Sequence, residues 1–466
     1  MRLSKVTTVA LEIVLALACP LAYGQITSYQ PLQLPSGKKF PVSEHVLIRA
    51  RDTADGPSIR QARAHAWDLF GGLTGNGRPI WETWYTKCDV HLALKGCRKG
   101  GSRNDRQRLF QNFGIPLQSL VQLKQSLASR SSPGIPFSPA LIPSELLADF
   151  VKDFRAHPQL ASVFFNKEAA NHILTHCLYP SDPALSPGES QHCSPSLLPP
   201  GKIAVFPKTS VVVKTVWAVV HPVDGSVQTW RPDLWNEVHQ ANVNPEPFGR
   251  EVRVNSDKCL PCQNRDYADD EGIPISCFYY IALSTQDDVN AIPEDLPLVG
   301  RPLYTAGDFL VLVGVHVTTK EIPEWVWATF WWDNRGSTDW HSVDRPKGIV
   351  SPWNRFLMDT TLSPTTPVEE DGGPKICFNP FLETKMHNGI ISNCLQCHSK
   401  AAYPLSNSAF DLGVLSRDGA TLASGNPTLP SYFDDRVKTD FLWSLVSARD
   451  PKLKDLLDAL LAAATK

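Results

Sequence analysis

The sequence has no surplus of charge of either sign, because 45 Lys and Arg nearly cancel 47 Asp and Glu. No one-signed field is therefore available to attract a polyanion or a lipid surface, and no nucleic-acid partner is expected. Beyond the first two dozen residues there is no apolar run long enough to span a bilayer. A phosphate-binding glycine loop, a nucleophile elbow and a catalytic carboxylate pair are all missing, as is any internal repeat. Methionine is scarce, with 3 in 466 residues, and neither Met nor His occurs after His398. Any second group meant to act opposite His398 must therefore come from upstream.

The chain does have size and aromatic bulk. Its 466 residues include 13 Trp and 20 Phe, with 42% hydrophobic residues, enough for two or three domains and a large core. Its 39 Pro point to many stiff loops. At the start, Arg2 and Lys5 precede an apolar run from Val6 to Leu21, broken by Glu12 and Pro20, and Ala22-Tyr23-Gly24 follows. That order predicts a signal peptide over 1–24, cleaved after Gly24, and a periplasmic or secreted product with no membrane span after cleavage. An exported chain oxidises its thiols, and of the 11 Cys ten remain once Cys19 leaves with the leader, so the eight outside Cys394 and Cys397 are compatible with four disulfides. The shortest loops would join Cys88 to Cys97 and Cys177 to Cys193. Cys259 and Cys262 also read as structural disulfide cysteines.

Patterning predicts an α+β fold in three parts. Residues 25–200 read as mostly helical and end in a Pro-rich linker. Within them a helix is expected over Ile59–Phe70 with Gly71-Gly72 as its stop, another after Ser144, and a third from Asn166 to Cys177. Residues 201–360 read as a β-rich region, an antiparallel sheet with runs at Val211–Val220, Cys277–Leu283, Phe309–Val317 and Trp325–Trp332. The last two form an expected antiparallel pair. Lys214 interrupts the first run and is expected to point outward or to snorkel, while Trp325 and Trp327 are expected to pack. Residues 361–466 read as a helical C-terminal segment, with helices over Val437–Ala448 and Leu453–Ala464.

The sharpest motif is Cys394-Leu395-Gln396-Cys397-His398. Two thiols at this spacing can each form a thioether with a haem vinyl, and the adjacent imidazole then falls beneath the iron as its proximal ligand. At this composition the pattern arises by chance about 0.007 times per chain, so coincidence is a weak rival. Zinc needs a second ligand pair at modest spacing, and Cys259-Leu260-Pro261-Cys262 is far away and lacks the histidine. A thiol-redox motif would want an early βαβ setting. The expected cofactor is thus one covalently attached haem c on Cys394, Cys397 and His398. For the opposite iron face the candidates are Met386, His387, Met358 and His341. His172 and His176, four apart on one expected helix, read as a polar helix face more readily than as a metal pair.

These residues carry a resemblance to a group of largely uncharacterised bacterial exported proteins described as cytochrome c family members. The similar stretches are Phe206-Pro207, Val213-Lys214 with Trp217, Trp325-Val326-Trp327-Ala328-Thr329-Phe330, Asn379-Pro380-Phe381-Leu382-Glu383, the Cys-x-x-Cys-His motif, and Lys438-Thr439-Asp440-Phe441-Leu442-Trp443-Ser444. Where related chains often continue Glu-His after Thr-Phe, Trp331 and Trp332 stand here. The resemblance implies covalent haem and a periplasmic setting, and brings no substrate. The expectation is an exported monohaem cytochrome passing electrons to periplasmic redox partners. The alternatives are a peroxidase-like haem enzyme with an open distal site, and a disulfide-stabilised envelope protein whose haem is structural.

Overall fold

A strand covered on both faces reads as near-continuous β-branched and aromatic sequence, and three such runs frame this protein. The computed structural model describes residues 28–53, 56–75, 77–90, 105–114, 116, 156–176, 178, 201–230, 250–268, 270–293, 303–336, 341–363, 376–383, 392–403, 433–434 and 436–447. The helices among them are α1 (Glu44–Asp52), α2 (Gly56–Thr74), α3 (Lys87–Val90), α4 (Asp105–Phe110), α5 (Lys167–Thr175), α6 (Gln286–Ala291), α7 (Cys394–His398) and α8 (Trp443–Ser447). The strands are β1 (Tyr85–Thr86), β2 (Gln159–Phe165), β3 (Gly201–Lys202), β4 (Val211–Val220), β5 (Ser226–Thr229), β6 (Arg250–Asn255), β7 (Ile273–Pro274), β8 (Tyr280–Ala282), β9 (Phe309–Thr319), β10 (Val326–Trp332), β11 (Phe356–Thr361), β12 (Ala402–Tyr403) and β13 (Val437–Lys438).

The fold is mixed α+β around a seven-stranded sheet ordered β1-β2-β4-β9-β10-β11, in which β8 also pairs with β9. Every pairing in it is antiparallel. The expected pair β9 and β10 is present, with Val326 opposite Thr319. β8 takes up the part of the β9 edge that β10 leaves, with Tyr280 opposite Val311. Residues 25–200 contribute strands as well as helices, since β2 lies between β1 and β4.

On one side of the sheet, α2 packs an aromatic core. Phe70 stacks on Phe330 at 4.2 Å between ring centroids, and Trp67, Trp353 and Phe356 surround the pair. Each buried aromatic of this size contributes about 2–3 kcal/mol by removal from water. α2 runs on through Gly71 and Gly72 instead of stopping there. The reason is close approach. A Cβ on Gly72 would meet the Gln33 carbonyl oxygen at 2.3 Å, and one on Gly71 would meet Pro35 at 3.1 Å. Both glycines let the N-terminal segment cross the helix. α5 appears as expected, its first turn capped by the Asn166 side chain, which accepts from the Ala169 N–H at 3.0 Å.

Two further expectations change. Cys262 is bonded to Cys277, 15 residues away, while Cys259 is an exposed thiol. Cys88 is disulfide-bonded, whereas Cys97, Cys177 and Cys193 lie outside the described residues. The segment from Val437 begins as a strand, because Val437 and Lys438 pair with β12 and, in parallel, with β3. Helix begins only at Trp443, after Asp440 and Phe441 take the left-handed conformation at φ 48° and 69°. The expected helices after Ser144 and over Leu453–Ala464 lie outside the described residues. No described helix is long and apolar enough to cross a membrane.

Candidate functional site

The face of the sheet opposite α2 carries the motif. A strand turns alternate side chains to opposite faces, so one residue from each strand forms a row. Val163, Lys214, His316, Thr329 and Asp359 make one such row across β2, β4, β9, β10 and β11. Phe165, Val212, Thr318, Trp327 and Thr361 make the next. The segment Ile376–Glu383 and helix α7 cover these rows. Asn379 donates from Nδ2 to Thr329 Oγ1 at 2.9 Å and to the Phe330 carbonyl at 3.0 Å. It reaches them because Gly314 has no side chain, a Cβ there falling 3.3 Å from the Asn379 amide.

Helix α7 is a single turn, too short to hold itself together. Asn393 caps it, accepting at Oδ1 from the Leu395 N–H at 2.9 Å and donating from Nδ2 to Thr361 Oγ1 at 3.1 Å. Gln396 closes the capping box from the other side. The cap thus ties the motif to β11 directly.

His398 is gripped from two sides. Its Nδ1 lies 2.7 Å from the Phe441 carbonyl oxygen, and its ring centroid 4.1 Å from that of Trp327. A carbonyl only accepts, so Nδ1 carries the proton and Nε2 keeps its lone pair. Phe441 and Asp440 are the two left-handed residues, a conformation costing roughly 1–3 kcal/mol each. Asp440 is held by the Lys320 ammonium at 2.6 Å, and this pin turns the Phe441 carbonyl towards the imidazole. Burial pushes the pKa of His398 down to about 4, with the nearby Lys214 cation adding to it. The Cys397 thiol is pushed up to about 12, first by burial and then by the Glu383 carboxylate.

Three other groups stand beside the motif, and the local sequence does not place them there. Lys214 does not point away from the structure. It faces the covered side, where burial lowers its pKa to about 8 against the pull of Glu383. Glu383 is raised to about 7 by burial, although it accepts from the Asn379 N–H at 2.6 Å. His316 stands beside both, its Nε2 buried without a hydrogen-bond partner among the described residues and 3.9 Å from Glu383 Oε1. Alternation along β9 marks His316 as sharing a face with Thr318, but only the register shows that this is the motif's face.

Cys394, Cys397 and His398 are brought together by α7. Cys394, however, lies with its Sγ 3.6 Å from that of Cys377, both thiols buried. Met358 lies in the aromatic core with its strand partner Phe330, on the face away from His398. Met386 and His387 lie outside the described residues. His341 packs on Trp331 beside the Met358 carbonyl. His172 uses Nε2 on the Ala204 carbonyl and stacks with His176 at 4.2 Å. Among the described residues no group of three or more His, Cys, Asp or Glu is arranged to hold a metal ion. A polar cleft of about 320 Å³, lined by Arg265, Arg335, Arg345 and Arg355, lies at the far end of β10.

No family model, curated protein or solved structure matches this chain.

Proposed function

We propose that this chain is an exported c-type cytochrome carrying one covalent haem, with thioether bonds to Cys394 and Cys397 and His398 as the proximal iron ligand. One observation carries the proposal. His398 donates from Nδ1 to a backbone carbonyl at 2.7 Å, the outer-shell bond that fixes the tautomer and aim of a metal-binding imidazole and leaves Nε2 as the ligand. Trp327 buttresses the ring, and the Asn393 cap holds the two thiols on the same turn. Cys397 is a free cysteine on that turn. Cys394 is the less ready of the pair, since its sulfur must leave Cys377 to be alkylated.

A bound haem supplies a one-electron couple. The protein's part is to hold the imidazole, to exclude water around it with Trp327 and Leu395, and to keep opposite charges, Lys214 and Glu383, close by. Such an arrangement suits electron exchange with periplasmic redox proteins. The test is intact mass of the matured product. It should exceed the polypeptide by about 616 Da, and Cys394→Ser with Cys397→Ser should abolish the increment.

The contact between Cys377 and Cys394 favours a second reading, a disulfide-stabilised envelope protein. In that case the mass falls by about 2 Da for the extra bond and no adduct appears.

A further inference from the structure

The iron of a haem held by His398 has a second axial position, and the structure offers a group for it. We propose that His316 is that second ligand, binding through Nε2; the assignment rests on the covalent-haem proposal above. Two observations support it. First, place: His316 lies on the face of the sheet that the motif covers, in the row next to Trp327, whose ring is in contact with that of His398. Cross-strand diagonal neighbours of this kind lie about 7–8 Å apart. Second, an unmet need: its Nε2 is buried with no hydrogen-bond partner among the described residues, and a buried imidazole nitrogen is rarely left so. Glu383 Oε1, at 3.9 Å, is beyond hydrogen-bond reach.

Met386 and His387 lie outside the described residues, and two described candidates do worse. Met358 is buried on the opposite face of the sheet, in the aromatic core. Lys214 is a direct cross-strand neighbour of His316, yet an ammonium has no lone pair to give, whereas a neutral imidazole has one. A neutral imidazole on each side of the iron would make it six-coordinate and low-spin, suited to electron transfer rather than to binding of an external ligand.

The experiment uses full-length protein exported with the haem maturation machinery, with intact mass and optical and electron paramagnetic resonance spectra recorded on each sample. The wild type should carry the adduct and be low-spin in the ferric state. His316→Ala should keep the adduct but become high-spin and bind cyanide, and added imidazole should restore the low-spin spectrum. Should that variant fail to fold, His316→Met is the second probe, expected to remain low-spin with a sulfur-to-iron charge-transfer band and a higher reduction potential. An adduct-bearing wild type with high-spin iron overturns the assignment alone. So does a low-spin His316→Ala, or a His316→Met with an unchanged spectrum, and low-spin character lost in Lys214→Met but kept in His316→Ala would move the ligand to Lys214. A wild type without the adduct overturns the covalent-haem proposal and the assignment with it.

Discussion

The two faces of the central sheet are made by the same strands and do different work. Along β9, Val313, Val315 and Val317 turn to the aromatic core, while Gly314, His316 and Thr318 turn to the motif. Along β10, Ala328 and Phe330 alternate with Trp327 and Thr329 in the same way. One face gains stability by removing apolar area from water. The other buries an amine, a carboxyl and two imidazoles, which costs free energy unless each finds a partner. Stability should therefore reside on the first face and chemistry on the second.

The largest expected effect would confirm that division on the core side. Phe330 is fully buried and stacked on Phe70, so Phe330→Ala should destabilise by about 3–5 kcal/mol, measured by urea unfolding. The spectrum of the haem proposed above should not change in the folded fraction. A cost below about 1 kcal/mol would mean that the two faces share the load more evenly than their composition implies.

On the motif side, Asn379 joins segment to sheet through two donations to buried acceptors. Asn379→Ala should cost about 1–3 kcal/mol, since Thr329 Oγ1 and the Phe330 carbonyl lose a donor. Unlike Phe330→Ala, it should also disturb Glu383, because the Asn379 Oδ1 that accepts from the Phe381 N–H and shapes the turn carrying Glu383 is lost, although the Asn379 N–H that Glu383 binds is kept. A changed titration of Glu383 in this variant, followed by carbonyl-stretch infrared spectroscopy, is the sign that separates the two faces.

What the sequence shows of each face follows from how local the signal is. β4, β9, β10 and the Asn166-capped helix are written in nearby residues, as is the Cys-x-x-Cys-His turn. The continuation of α2 through Gly71-Gly72 was not readable, because it depends on Gln33 and Pro35 crossing at those glycines. The same holds for the cluster around Lys214, His316 and Glu383, which comes together through register and through the segment Ile376–Glu383, far beyond β9 in the sequence. A charge inside a strand signals burial against a partner only once the partner is known. The pairing of Val437 with residue 201 is equally non-local.

The third prediction concerns pH. The Glu383 carboxyl is raised from 4.5 to about 7 by burial, so between those values the native state holds a proton that the unfolded state has released. Stability must then fall as pH rises from about 4.5 to about 7, by up to roughly 1.4 kcal/mol per unit. Glu383→Gln keeps the neutral shape and removes the slope. The difference between wild type and variant is the quantity to measure, because His398, lowered to about 4, contributes a slope of opposite sign to both. Lys214, lowered to about 8, should make stability rise between about 8 and 10.5, and Lys214→Met should remove that rise. A flat difference curve for Glu383→Gln between pH 4.5 and 7 would show that the carboxylate finds full compensation in its partners.

The smallest effect tests where the two sides meet. At Gly314 an added methyl would lie 3.3 Å from the Asn379 amide and 3.4 Å from Val216 Cβ, tight on both sides but without a backbone collision. In a strand, alanine is otherwise favoured over glycine by about 0.5–1 kcal/mol, so the crowding and the propensity nearly cancel. Gly314→Ala should cost less than about 1 kcal/mol in the wild-type background, chiefly by lengthening the bond from Asn379 to Thr329. With Asn379 already replaced by Ala the crowding amide is gone, and the same substitution should become neutral or stabilising. That change of sign, read from a double-mutant cycle of unfolding free energies, assigns the glycine to the approach of the motif segment. Equal costs in the two backgrounds would assign it instead to packing against Val216 within the sheet.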